Sequence, residues 1–197
     1  MGERRRYHHG DLPAALRAAA LDLVAERGPH GFSLAEAARR AGVTVAAPYR
    51  HYADREALLA ALGLEAYDEL AARLRAVPGA GADRVAGMAA AYVRFAGERT
   101  AHFHVLFTSG IDKGRYPAVQ EAADAAFDVF SAAFVVPGAV ACDDDGGDEP
   151  GAALDVWALA HGYASLLVDG VLASASCAQT AEAARAATLH LIRRYQA

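Results

Sequence analysis

The stretch from Ser33 to Leu59, SLAEAARRAGVTVAAPYRHYADREALL, constrains the chain most, because its punctuation leaves few ways to fold it. Ser33 and Glu36 are spaced as a capping box, in which each side chain satisfies the other's free backbone N–H at a helix start. Leu34, Ala37, Ala38 and Ala41 follow at helical spacing and put one face inward. Gly42 stands where that helix must stop and the chain must turn with positive φ. Thr44 can cap a second short helix, Val45 to His51, with Pro48 in or at the edge of its first turn, where a missing N–H costs little. Asp54 then caps a third, longer helix that Arg55 and Glu56 open. A short helix, a glycine turn and a second short helix make a helix-turn-helix.

The flanking segments are helical too. Leu12 to Arg27 carries Leu12, Leu16, Ala20, Leu23 and Val24 on one face and ends at Gly28-Pro29. The helix from Asp54 to about Val77 repeats Leu59, Leu62, Ala66 and Leu70, and Pro78-Gly79-Ala80-Gly81 breaks it. Ala82 to Phe107 reads as one helix and part of another, Ser109 to Tyr116 as a loop, and Pro117 to Val136 as a helix. Two final helices run from Ala152 to Ala173 and from Ala178 to Tyr195. The first is apolar almost all round and so needs cover on more than one side. Strand patterns are almost absent. The expected fold is all-α: an N-terminal three-helix DNA-binding module, residues 1–62, and a C-terminal helical bundle for ligand binding and dimerisation, residues 63–197.

Charge supports the division. The formal net charge is −5, but residues 1–60 hold nine Arg against seven acids, a net of +2 that leaves −7 on the remainder. A basic module on an acidic body is the asymmetry of a DNA reader with a second domain. Residues 1–11, MGERRRYHHGD, read either as a solvated terminus or as an arm that lays Arg4, Arg5 and Arg6 along DNA. Cys142 and Cys177 lack metal spacing and read as free thiols of a reducing cytoplasm. No signal peptide is visible, and Asp155, His161 and Asp169 interrupt the most apolar stretch, so no membrane span is expected. The acidic run from Val140 to Gly151 fails as a calcium loop, since Ala141 and Ala152 would fall at its first and twelfth ligand positions, and reads as a solvated loop.

Enzyme signatures are missing: there is no HExxH, GxSxG or glycine-rich phosphate loop. His102 and His104, two residues apart, diverge by roughly 200° on a helix and make a poor metal pair. No enzyme activity, cofactor or metal is expected, and an all-α metal enzyme is a remote alternative. Tyr92, Phe95, Phe103, Phe107, Phe127, Phe130, Trp157 and His161 recur on the apolar faces of several helices. They either fill a solid core or bound an apolar cavity for a small effector.

Phe32 to Thr44, Tyr49 to Tyr52 and Asp54 to Leu59 together resemble the TetR/AcrR family of bacterial transcription regulators, over about fifty residues. Trp157 with His161-Gly162, and the Tyr7 to Leu12 entry, are similar to a subgroup with a so-called WHG C-terminal domain. The resemblance implies a homodimer on near-palindromic double-stranded DNA, most often a repressor released by a small apolar effector. It implies phosphate contacts from Thr44, Tyr49, His51 and Arg55, with Ser33 in the same interface. It places Val45, Ala46, Ala47 and Arg50 toward the bases. Tyr52 is expected in the core. A DNA-binding regulator or architectural protein without any effector is the main alternative.

Overall fold

The computed structural model describes residues 11–133 and 151–195, and every regular element among them is a helix. The order is α1 (Leu12–Arg27), α2 (Leu34–Arg40), a 3-10 turn (Pro48–Arg50), α3 (Arg55–Arg75), α4 (Gly81–Glu98), α5 (Thr100–Thr108), α6 (Pro117–Ala132), α7 (Ala152–Val168) and α8 (Cys177–Tyr195). Arg4, Arg5 and Arg6, His8-His9, Phe134, Cys142 and the acidic run lie outside the described residues.

Local chemistry sets most boundaries. Asp11 accepts from the Ala14 N–H at 3.0 Å and caps α1, whose second residue is Pro13. Gly28, at φ 74°, ends it. Asp54 accepts from the Ala57 N–H at 2.8 Å and caps α3. The α4–α5 break falls at Arg99, and Ser109 to Tyr116 joins α5 to α6 without regular structure, as its sequence leads one to expect.

Two apolar cores result. Leu16, Leu23, Leu34, Leu58, Leu59 and Leu62 close the first among α1, α2 and the start of α3, and Val105 of α5 is buried in it. The second gathers Leu70, Leu74, Met88, Tyr92, Phe95, Phe130, Val156 and Ile192 from the end of α3 and from α4, α6, α7 and α8. Each fully buried large side chain contributes roughly 1.5–3 kcal/mol. The 21 residues of α3 run through both cores, so α3 is their common strut. A smaller cluster of Tyr67, Ala71, Val119 and Ala126 seats α6 against it.

Two expectations are corrected. Val45 to His51 is not an α-helix. Pro48 cannot give the N–H that would reach the Thr44 carbonyl, and its ring would crowd that oxygen. The carbonyl instead accepts from Ala47 N–H at 3.0 Å, and His51 N–H reaches Pro48 O at 2.9 Å. The segment is therefore a turn followed by a 3-10 turn, and no side chain caps it. The helix expected over Ala152 to Ala173 stops at Val168. Gly170 takes φ 72°, and the N–H groups of Gly170 and Val171 turn back to the carbonyls of Leu167 and Leu166 at 3.1 and 3.0 Å. That is the Schellman stop, which glycine alone enters without strain.

Candidate nucleic-acid interface and aromatic cluster

The head begins with α2. Glu36 Oε2 accepts from the Ser33 N–H at 2.9 Å, and Ser33 Oγ accepts from the Glu36 N–H at 3.3 Å, which completes the capping box. At the far end Gly42, at φ 72°, turns the chain: its N–H reaches Arg39 O at 3.1 Å, and Val43 N–H reaches Ala38 O at 3.0 Å. The chain then passes directly into the turn over Thr44–Ala47.

That turn and the 3-10 turn sort their side chains cleanly. Pro48 is buried against α1 and α2. Thr44, Val45, Ala46, Tyr49, Arg50 and His51 are exposed, and Ala47 is half-buried. Tyr49 shows 58 % of its surface and Val45 44 %, so the largest apolar groups here face outward as one strip. Tyr52 turns the other way. It is buried, and its hydroxyl accepts from Arg17 at 3.2 Å while Arg17 pairs with Glu65 at 2.5 Å.

The first turn of α3 is held from two sides. Asp54 Oδ2 and Glu56 Oε2 accept from the Arg115 guanidinium at 2.6 and 2.8 Å, and Glu56 Oε1 accepts from Asp112 N–H at 2.9 Å. The Ala57 N–H and then Arg115 hold the Asp54 carboxyl below its ordinary range. Arg55 gives one N–H to the His30 carbonyl at 3.0 Å, and the His30 Nε2–H donates to Thr108 O at 3.0 Å. The start of α3 is thus tied to the end of α5 and to the segment before α6. His30 and Arg115 escaped the sequence reading, because both act through contacts made far along the chain and neither sits in a motif.

In the body, Tyr92 of α4 is the centre of an aromatic cluster. Its hydroxyl lies 2.9 Å from His161 Nδ1 of α7. Its ring meets Trp157 at 4.9 Å between centroids, Phe103 and Phe107 of α5 at 6.3 Å each, and His161 at 6.1 Å. Phe107 lies 4.7 Å from His161, and Phe127 and Phe130 of α6 meet Trp157 at 5.5 and 5.6 Å. Phe95 is buried in the same core but has the Arg73 guanidinium over its ring at 5.7 Å. Burial drives the Tyr92 hydroxyl well above its ordinary pKa and the His161 imidazole below its own. Both are therefore neutral near pH 7. The phenol and Nδ1 share one hydrogen bond, and the imidazole tautomer decides which of the two donates.

Among the described residues no group of three His, Cys, Asp or Glu is placed to hold a metal. No helix among them is long and apolar enough to cross a membrane.

A small three-helix head exposing a turn-and-helix strip, built onto a larger helical body, defines a helix-turn-helix transcription regulator. Residues 16–62 match bacterial regulatory proteins of the tetR family, and residues 85–191, more than half of the chain, match the tetracyclin repressor-like C-terminal domain. The chain belongs to the TetR family and is a DNA-binding transcriptional regulator. The C-terminal match takes in Trp157 and His161-Gly162. A solved protein of unknown function from Rhodococcus sp. RHA1 is 33% identical, covers 94% of this chain and 97% of its own, and superposes with a TM-score of 0.70. A tetR-family regulatory protein from Rhodococcus RHA1 is 21% identical over 91% of this chain and 95% of its own, with a TM-score of 0.69. The transcriptional regulator FadR of Bacillus subtilis, solved in complex with stearoyl-CoA, is 11% identical over 89% and 97%, with a TM-score of 0.66. The last two likenesses are of fold alone. No curated protein matches the chain.

Proposed function

We propose that the protein is a cytoplasmic homodimeric repressor, acting by binding and not by catalysis, that leaves a near-palindromic operator when a small, mostly apolar effector enters the aromatic cluster. Residues 1–62 form the reading head and residues 63–197 the effector and dimer body. Thr44, Tyr49, His51 and Arg55 hold phosphates, with Ser33 in the same interface, while Val45, Ala46, Ala47 and Arg50 face the bases. Arg4, Arg5 and Arg6 add charge from the arm. Val45, Ala46 and Ala47 lack side-chain donors, so they read thymine methyls and groove shape, and Arg50 supplies the bidentate donor suited to guanine.

One observation carries the effector reading: the two faces of α5. Val105 is buried in the head core, whereas Phe103 and Phe107, two residues to either side, stand on His161 in the body cluster. An occupant that displaces these two rings moves α5 within the head core and disturbs its ties to α3. The ligand would be largely apolar with few polar atoms, because the cluster is built of rings whose polar tips are those of Tyr92, Trp157 and His161. Binding favours whichever head spacing fits the occupied body, and the operator favours the other.

The tight ring packing supports the second reading, a regulator with no effector. A thermal-shift screen of small apolar acids and amides, followed by operator-binding anisotropy with any hit, separates the two. The effector reading expects a stabilising compound that lowers operator affinity and loses its effect in Phe107→Ala. A compound that stabilises without touching DNA binding, or no hit at all, favours the second reading.

A further inference from the structure

The head is poor in usable cations, and their partners show which remain available. Among the described head residues there are six arginines and no lysine. Arg17 is paired with Glu65, Arg27 with Glu36, and Arg40 holds both oxygens of Glu26 at 2.6 and 2.8 Å. Arg55 keeps its charge but spends a donor on the His30 carbonyl. Arg39 and Arg50 are exposed, and neither side chain has a partner among the described residues. Arg50 lies on the reading strip. Arg39 lies outside it, at the end of α2.

We propose that Arg39 is a phosphate-positioning residue of the head, a role that rests on the DNA-binding reading above and that its place on α2 supports. At 100° per residue Arg39 projects opposite the buried stripe of Leu34, Ala37, Ala38 and Ala41. Arg40, one step round the helix, is turned back onto α1 by Glu26. The first helix of a helix-turn-helix crosses the DNA backbone while the second enters the groove. On this α2, Glu36 holds the Ser33 hydroxyl at one end, while Arg39 is exposed at the other, so the outer face offers an unneutralised guanidinium to a backbone phosphate. Arg40 cannot substitute, since reaching a phosphate would strand the Glu26 carboxylate beside the same polyanion.

A salt titration of duplex binding tests this, using full-length wild type, Arg39→Ala, Arg39→Lys and Arg40→Ala on an operator duplex and a random duplex. Each phosphate neutralised contributes about −0.9 to the slope of log K against log salt. Arg39→Ala is expected to flatten the slope by about 0.9 per subunit on both duplexes, with the greatest affinity loss at low salt and the operator-to-random ratio unchanged. Arg39→Lys should restore the slope, and Arg40→Ala should leave it at the wild-type value. Thermal melts control for folding, and Arg39→Ala should melt with wild type because its side chain holds nothing in place. A wild-type slope in Arg39→Ala, or a loss confined to the operator duplex, overturns the assignment. So does an equal loss in Arg40→Ala, which would mean that pairing does not decide which arginines work. A wild type that binds neither duplex overturns the DNA-binding reading itself.

Discussion

Tyr92 and His161 are 69 positions apart in sequence and share one hydrogen bond. Burial, which keeps the His161 imidazole neutral, has a consequence for stability. Burial lowers the His161 pKa, so in the folded protein the ring resists protonation more than in the unfolded chain. Above the ordinary histidine value of about 6.5 the ring is neutral in both states and stability is full. As pH falls below that value the unfolded chain takes the proton first and stability drops, until pH passes the lower folded-state value. His102 behaves alike, its pKa lowered by burial and then by Arg99. Denaturant midpoints should therefore fall between pH 7.5 and 5.5, and His161→Gln should flatten part of that fall; an unaltered profile would mean that the ring is already protonated or solvated. Tyr116 supports a second expectation. Its hydroxyl oxygen is shielded from solvent and has no hydrogen-bond partner among the described residues, although the residue as a whole is half-buried. An unmet buried hydroxyl costs about 1–3 kcal/mol, so Tyr116→Phe should be neutral or stabilising in a urea midpoint, where most tyrosine truncations cost stability. The sequence marks both residues as aromatic positions on helix faces or ends. It cannot say which polar tip finds a partner, because that depends on how helices distant in sequence cross.

At the scale of elements, the chain was most legible where one residue type enforces one backbone event. The Leu12–Arg27 helix, the Ser33–Glu36 box, the Gly42 turn and the Asp54 cap follow from side chains that satisfy or release particular N–H groups, and the structure bears them out. Sequence pattern and structure part where two local signals compete. Thr44 offered a cap, but Pro48 removes the first hydrogen bond such a helix needs, and the proline prevails. The apolar run beyond Val168 continued a helical pattern, but Gly170 ended it. The clamp on α3 was invisible for a different reason: Arg115 reaches Asp54 and Glu56 across about sixty residues. Its side chains are 31–47 % exposed, and exposed ion pairs contribute about 1 kcal/mol or less each. Arg115→Ala should thus move the melting temperature little. It should weaken operator binding more than stability, because α3 loses one of the two ties that orient its first turn. Equal wild-type and variant affinities for the operator would show that the His30 tie suffices.

At the scale of the molecule, the outer face of α7 presents a surface that the described residues do not cover. Leu154, Ala158, Gly162 and Leu166 follow at four-residue steps and are all exposed, Leu154 by 46 % and Leu166 by 42 %. Ala158, Leu159, Gly162, Tyr163 and Leu166 line an apolar groove of about 260 Å³. Gly162 has open space where a side chain would stand, so another backbone can approach α7 closely there. The inner face, with Val156, Ala160 and Ala164, is already buried in the body. A second copy of the same face, related by a two-fold axis, is the simplest cover, because an isologous contact needs no other partner. A near-palindromic operator would require the two heads of such a dimer to lie about 34–36 Å or a multiple apart. Leu166→Glu puts a charge into the groove without entering the body core. Sedimentation at micromolar concentration should then show a monomer with wild-type helicity. Its heads should still bind random duplex weakly and lose the operator preference that depends on two heads arriving together. A Leu166→Glu protein that remains dimeric would move the interface off this face of α7, and with it the geometry that sets the spacing of the heads.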